Sequence, residues 1–189
     1  KLTCNERFPR LSVVRNTPAD GSLYLGPLSS TRYARLVVEA IESVVPVRRC
    51  STRIGGSVRL DRAPVREAPC TAAQLGVSTC PCSGATSEAE YAAIVDRLVH
   101  ALNHDPAALL EPLAEKMVTL ALAERYEEAA DVRDRAAALA KALARQRRLD
   151  ALRRSGRVHV ELPGTGGLEL AHGRFVRSWA DADDDGPGA

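Results

Sequence analysis

The stretch LAEKMVTLALAERYEEAADVRDRAAAL, residues 113–139, decides the architecture of this chain, because its pattern admits two shapes. Leu109, Leu110, Leu113, Met117, Leu120 and Ala121 recur at three- and four-residue spacing, the apolar stripe of an amphipathic helix. From Tyr126 to about Arg148 the sequence is helical again and rich in alanine, the strongest helix former. Neither Gly nor Pro separates the two segments, so pattern alone permits one continuous helix of roughly 40 residues.

Working outward, Asp105-Pro106 restarts a helix with Pro at its favoured first position. Before it, SEAEY at 87–91 is a capping box, in which the Ser87 hydroxyl accepts from the Glu90 amide and the Glu90 carboxylate reaches back. Tyr91, Ile94, Val95, Leu98, Val99 and Leu102 follow as an apolar stripe. Near the start, FPRLSVVR (8–15) and SLYLG (22–26) predict two strands joined by the turn NTPADG, a small hairpin. Ser29 or Ser30 then caps a helix carrying Tyr33, Leu36, Val37, Ala40, Ile41 and Val44, which Pro46 ends. Residues 47–86 show no helical period. RVHVEL (157–162), GLEL (167–170) and RFVRSW (174–179) predict short strands joined by Gly-rich turns, and DADDDGPGA predicts a disordered acidic tail. The expected class is α+β, mainly α. Its parts are a hairpin plus helix (1–46), a cysteine-rich module (47–86), a helical region (87–150), a small β segment (151–180) and the tail (181–189).

The 189 residues carry a net charge of only +2, which hides segregation. Residues 48–66 hold six arginines against Asp61, and 141–157 hold seven basic residues against Asp150. Arg48, Arg49, Arg53 and Arg66 are candidate phosphate contacts, with ordinary solvation as the alternative. No apolar run reaches the roughly 18 residues of a membrane span. The expected compartment is cytoplasmic, where disulfides seldom persist. A chain that begins with Lys is expected to be a piece of something longer.

Cys50, Cys70, Cys80 and Cys82 fall within the segment that has least core to fold on. Four thiolates complete either a zinc site or an iron–sulfur cluster, and metal binding supplies folding energy where burial does not. Buried free cysteines or disulfides remain the alternatives, and Cys-Pro-Cys is tight for a zinc knuckle. Cys4 stands apart as an ordinary thiol.

The order FPRL, YLGP, PVRRC, APC-TAAQLG, CPCSG and SEAEY resembles the UvrC family, the excinuclease ABC component that acts in bacterial nucleotide excision repair. Residues 113–139 resemble the UVR motif, the antiparallel helical hairpin (about 106–148 here) through which UvrC proteins meet UvrB. That resemblance requires a turn near Ala123–Tyr126 and selects the hairpin over the long helix. It implies contacts to a UvrB-like partner at Met117, Tyr126, Glu127, Ala129, Ala130, Arg133 and Asp134. It also implies an iron–sulfur cluster on the cysteines, zinc being the alternative. The family's third cysteine would fall at Ser78, whereas this chain offers Cys80. A nuclease domain is implied upstream. Beyond residue 150 the chain looks more like relatives that fuse a DEDD exonuclease to a GIY-YIG half.

No catalytic constellation is evident. The four histidines are scattered, and His100 with His104 on one helix face reads as solvent-exposed. The leading expectation is therefore a non-catalytic central part of a repair nuclease that binds DNA and a partner protein. A metal-dependent adaptor is the rival, yet such adaptors use paired C-x-x-C knuckles that this chain lacks.

Overall fold

Three short phrases scattered through the first half of the sequence meet at one hub. Phe8 and Tyr91 pack edge to face, 5.5 Å between ring centroids. The Tyr91 hydroxyl donates to the Pro9 carbonyl at 2.6 Å and accepts from the Arg48 amide at 2.9 Å. Tyr91 is fully buried, so its hydroxyl needs these partners, and their loss would leave polar groups stranded. FPRL, PVRRC and SEAEY thus occur together because they bond to one another.

The computed structural model describes residues 1–51, 54 and 68–180. Five α-helices are present among them: α1 (Thr31–Glu42), α2 (Thr71–Gln74), α3 (Glu88–Asn103), α4 (Ala107–Leu122) and α5 (Tyr126–Arg154). A 3₁₀ turn spans Pro81–Ser83, and strands β1 (Arg157–Leu162), β2 (Gly166–Ala171) and β3 (Arg174–Trp179) follow. The α+β, mainly α class holds. Two compact units emerge, residues 1–143 and 144–189.

In the first unit, Ser30 caps α1 by accepting from the Tyr33 amide at 3.1 Å, and the Ser87–Glu90 capping box starts α3. The core is aliphatic: Val37, Ala40 and Ile41 from α1, Val95 and Leu98 from α3, Leu109 and Leu113 from α4, and Val132, Leu139 and Leu143 from α5. The expected N-terminal hairpin is not what forms. Leu2 makes isolated antiparallel bridges to both Leu11 and Leu23, so the first residues separate the two segments that were expected to pair.

The long-helix alternative is excluded. Helix α4 ends at Leu122, and Glu124 takes a left-handed conformation at φ 58°. The Arg125 amide donates back to the Leu120 carbonyl at 2.9 Å, and the Glu124 amide to Ala121 at 3.0 Å. That bond pair is the Schellman helix stop, which normally places Gly where this chain has Glu.

In the second unit, β1, β2 and β3 form an antiparallel meander in that order, with His159 opposite Glu169 and Glu169 opposite Arg177. Glu169 is only 2 % exposed. It accepts from Arg157 at 2.8 Å and Arg177 at 2.7 Å, with His159 Nε2 3.7 Å away. These contacts hold its carboxyl below the usual range: the Arg177 hydrogen bond lowers it most, burial opposes, and the Arg157 and His159 charges add to the lowering.

Candidate functional site

Cys80 and Cys82 are buried, each 3 % exposed, while Cys50 and Cys70 are half-buried. The chain reaches this arrangement through short-range devices. The Thr79 amide donates to the Pro46 carbonyl at 2.8 Å and its hydroxyl bonds the same oxygen, which ties the CPC segment to the stretch of chain leading to Cys50. Cys70 caps α2, and Gly84, at φ 73°, closes the 3₁₀ turn that carries Cys82.

The Cys80 and Cys82 sulfurs lie 2.9 Å apart and share a hydrogen bond. Burial pushes the Cys80 thiol up, but hydrogen bonds from Cys82, Cys70 and Ser83 outweigh it and bring the thiol below its ordinary range. Burial, and then the neighbouring sulfurs of Cys80, Cys50 and Cys70, push Cys82 above it. The pair gives up one proton readily and holds the second. Cys82 is thus the thiol that all three of the other predicted sulfurs influence.

As a donor set for a soft metal centre, four thiols suit zinc or iron–sulfur chemistry. Among the described residues, however, no three His, Cys, Asp or Glu side chains stand in the arrangement of a metal site. Two sulfurs on one tetrahedral ion at about 2.3 Å would sit roughly 3.7 Å apart. Cys80 and Cys82 would have to spread to serve as co-ligands, a side-chain adjustment within reach of thiols on a turn.

The Arg48 expectation needs correction. Arg48 is 1 % exposed, and its guanidinium is spent internally. It donates to the Phe8 carbonyl at 2.6 Å, to the Cys50 carbonyl at 3.1 Å, to the Cys50 sulfur at 3.6 Å and to the Glu6 carboxylate. A side chain so enclosed does not reach a phosphate on a passing duplex; it braces the cysteine segment. Arg49 is exposed and lies at the end of α1, bonding the Glu42 carbonyl at 2.7 Å. Arg53 and Arg66 lie outside the described residues. Beside α1, a cleft of about 470 Å³ includes Glu39, Glu42, Arg49, Lys116 and Arg135 in its walls. Arg49 pairs with Glu42 at 3.5 Å and Arg135 with Glu39 at 3.2 Å, so most of its charges are matched within the wall.

At the α4–α5 turn the predicted partner residues divide. Ala129 is buried at 8 % exposure and belongs to the core, a correction to its expected role at a docking surface. Met117 and Ala130 are half-buried, and Tyr126, Glu127, Arg133 and Asp134 are exposed, with Arg133 bonded to its neighbour Asp134 at 2.9 Å. Two residues outside the expected set complete an apolar tip. Val118 and Leu122, one turn apart on α4, are 52 % and 82 % exposed, and Tyr126, which opens α5, is 66 % exposed. Their signal was present in the sequence, since both are apolar residues off the stripe that the core uses.

Residues 1–101 match the family model described as "UvrC/Cho excinuclease, middle domain". Among curated relatives, the UvrABC system protein C of Clostridium kluyveri is 33 % identical over 147 residues, covering 78 % of this chain and 23 % of that protein. That of Halobacterium salinarum is 34 % identical over 137 residues, covering 72 % and 22 %. That of Geobacter metallireducens is 34 % identical over 134 residues, covering 71 % and 20 %. The chain thus spans less than a quarter of the length of these relatives. No solved structure matches.

Proposed function

Because this chain belongs to the UvrC/Cho excinuclease middle-domain family, we propose that it is the non-catalytic central part of a nucleotide excision repair nuclease, organising a thiolate-bound metal centre and docking a UvrB-like partner. The observation that carries the reading is the Phe8–Arg48–Tyr91 hub, which clamps the family's phrases around the cysteine segment and places a buried guanidinium against Cys50. Cys50, Cys70, Cys80 and Cys82 would hold an iron–sulfur cluster, with zinc as the second candidate. Such a centre supplies a structural clasp for a segment with little core, and a redox-sensitive one if it contains iron.

Anaerobic purification followed by iron, zinc and acid-labile sulfide analysis tests the centre. One cluster per chain with sulfide is the expected result; a folded protein that carries neither metal would overturn it. Cys80→Ser with full occupancy would remove Cys80 from the ligand set.

Docking of the UvrB-like partner is assigned to the exposed tip formed by Val118, Leu122 and Tyr126, flanked by Arg133 and Asp134. An apolar surface of this kind, left by a helix turn and rimmed with charge, suits a second helical hairpin. Leu122→Asp is expected to abolish association with UvrB while thermal unfolding stays unchanged, since the side chain is 82 % exposed. Association that survives this change would move the interface elsewhere. DNA is the remaining proposed partner, with Arg49, Arg53 and Arg66 as phosphate contacts and Arg48 withdrawn from that set.

A further inference from the structure

The second unit presents a face that neither the cysteines nor the α4–α5 turn accounts for. Strand alternation and the observed register put Arg157, His159, Glu169, Arg177 and Trp179 on one side of the meander. Glu169 lies at the bottom, and the groups around it point outward: Arg157 is 72 % exposed, Arg177 67 % and His159 54 %. The buried carboxylate fixes both guanidiniums without hiding them. Trp179 borders this set. The Arg177 guanidinium carbon lies 5.7 Å from its ring centroid, and the His159 ring meets it edge-on at 6.1 Å. The indole rests on Gly167, where an added Cβ would fall 2.4 Å from Trp179 Cζ2, so the glycine is what lets the ring lie against the sheet.

From this arrangement we infer that the meander binds single-stranded nucleic acid. Glu161 lies on the same side, opposite Gly167, so the charges of this face balance and what it offers a ligand is geometry: the outward N–H groups of Arg157 and Arg177 form the fork that suits a phosphodiester. An aromatic ring beside that fork supplies a stacking surface for an adjacent unpaired base, which a duplex does not offer. Over residues 144–180 there are eight arginines and three carboxylates. Four aspartates follow within 181–185, outside the described residues. An acidic peptide could satisfy the arginines but has no base to place on Trp179.

These residues belong to the second unit, whereas the cysteines and the α4–α5 turn belong to the first, so a failure here leaves the metal centre and the docking of a UvrB-like partner untouched, and the reverse also holds. Trp179 is the single tryptophan of the chain, which makes the intact protein its own reporter. Titration of the full chain with oligothymidylate at low salt is expected to quench Trp179 emission saturably, and added salt to reverse it. A duplex of equal length and poly-glutamate should quench far less. By anisotropy of a labelled oligonucleotide, Trp179→Ala is expected to weaken binding about tenfold. Trp179→Phe, which keeps a ring over Gly167, should lose less. Absence of quenching, equal quenching by poly-glutamate, or unchanged affinity in Trp179→Ala would each overturn the assignment. The wild-type titrations decide even if a variant fails to fold.

Discussion

The two units bury opposite charges and get opposite results from doing so. In the first, the guanidinium of Arg48 is enclosed and its partners are two backbone carbonyls and the Cys50 sulfur, with Glu6 at the margin. In the second, the carboxylate of Glu169 is enclosed and its partners are long, exposed side chains. A buried cation bound to main-chain oxygens locks segments together and offers nothing to solvent. A buried anion held by flexible cations instead aims those cations outward. The first arrangement is a brace for the cysteine segment; the second is a platform. Counting arginines along the sequence does not separate them.

The largest expected effect breaks the brace. Arg48→Met should cost about 3 kcal/mol, because two carbonyls and Glu6 lose their donor in a site closed to water. Urea denaturation measures it, and a loss below about 0.5 kcal/mol, the range of ordinary surface changes, would make Arg48 a spectator. The matching change in the platform, Glu169→Gln, should be milder, since Arg157 and Arg177 remain hydrated. Its signature is in pH. A carboxyl whose folded pKa is depressed stabilises fully above its ordinary value of 4.5 and loses that contribution as pH falls through the folded value. Wild type should therefore lose stability in acid more steeply than Glu169→Gln; parallel curves would deny Glu169 its role. The smallest effect belongs to neither charged site but to the α4–α5 turn. Glu124→Gly should stabilise the chain by about 0.5–1 kcal/mol, relieving a left-handed residue that carries a side chain. A destabilised variant would mean that the Glu124 side chain contributes more than its strain costs.

What was legible in the sequence was local. The Ser87–Glu90 capping box, the Ser30 cap and the three C-terminal strands depend on neighbours a few residues away, and each formed where expected. The hairpin of 8–15 with 22–26 failed because Leu2 competes for both partners, a contact no local pattern announces. The helix stop at 123–125 was invisible to composition, since Glu124 fills a place where Gly is the usual signal; only the family resemblance located it. The cysteines were readable as candidate ligands by residue type alone, and among the described residues no three of them stand in the arrangement of a metal site. Arg48 was misread because its burial is decided by Glu6 and Phe8, some 40 residues earlier in the chain. The platform around Glu169 was missed for a related reason: it exists only once strand register sets Arg157, His159 and Arg177 around one carboxylate.

The stop at Glu124 also has a meaning in mutational distance. Glutamate and glycine codons differ at a single middle base, so the residue that would relax this turn is one substitution away. Proline, which would forbid the left-handed conformation outright, cannot be reached from glutamate in one base change. Valine, however, is also one middle-base change away, and its β-branched side chain fits the left-handed conformation poorly, so two single changes at the same base move this turn in opposite directions. A helix stop that looks under-specified by its own residue thus sits one base from relief and one base from disruption.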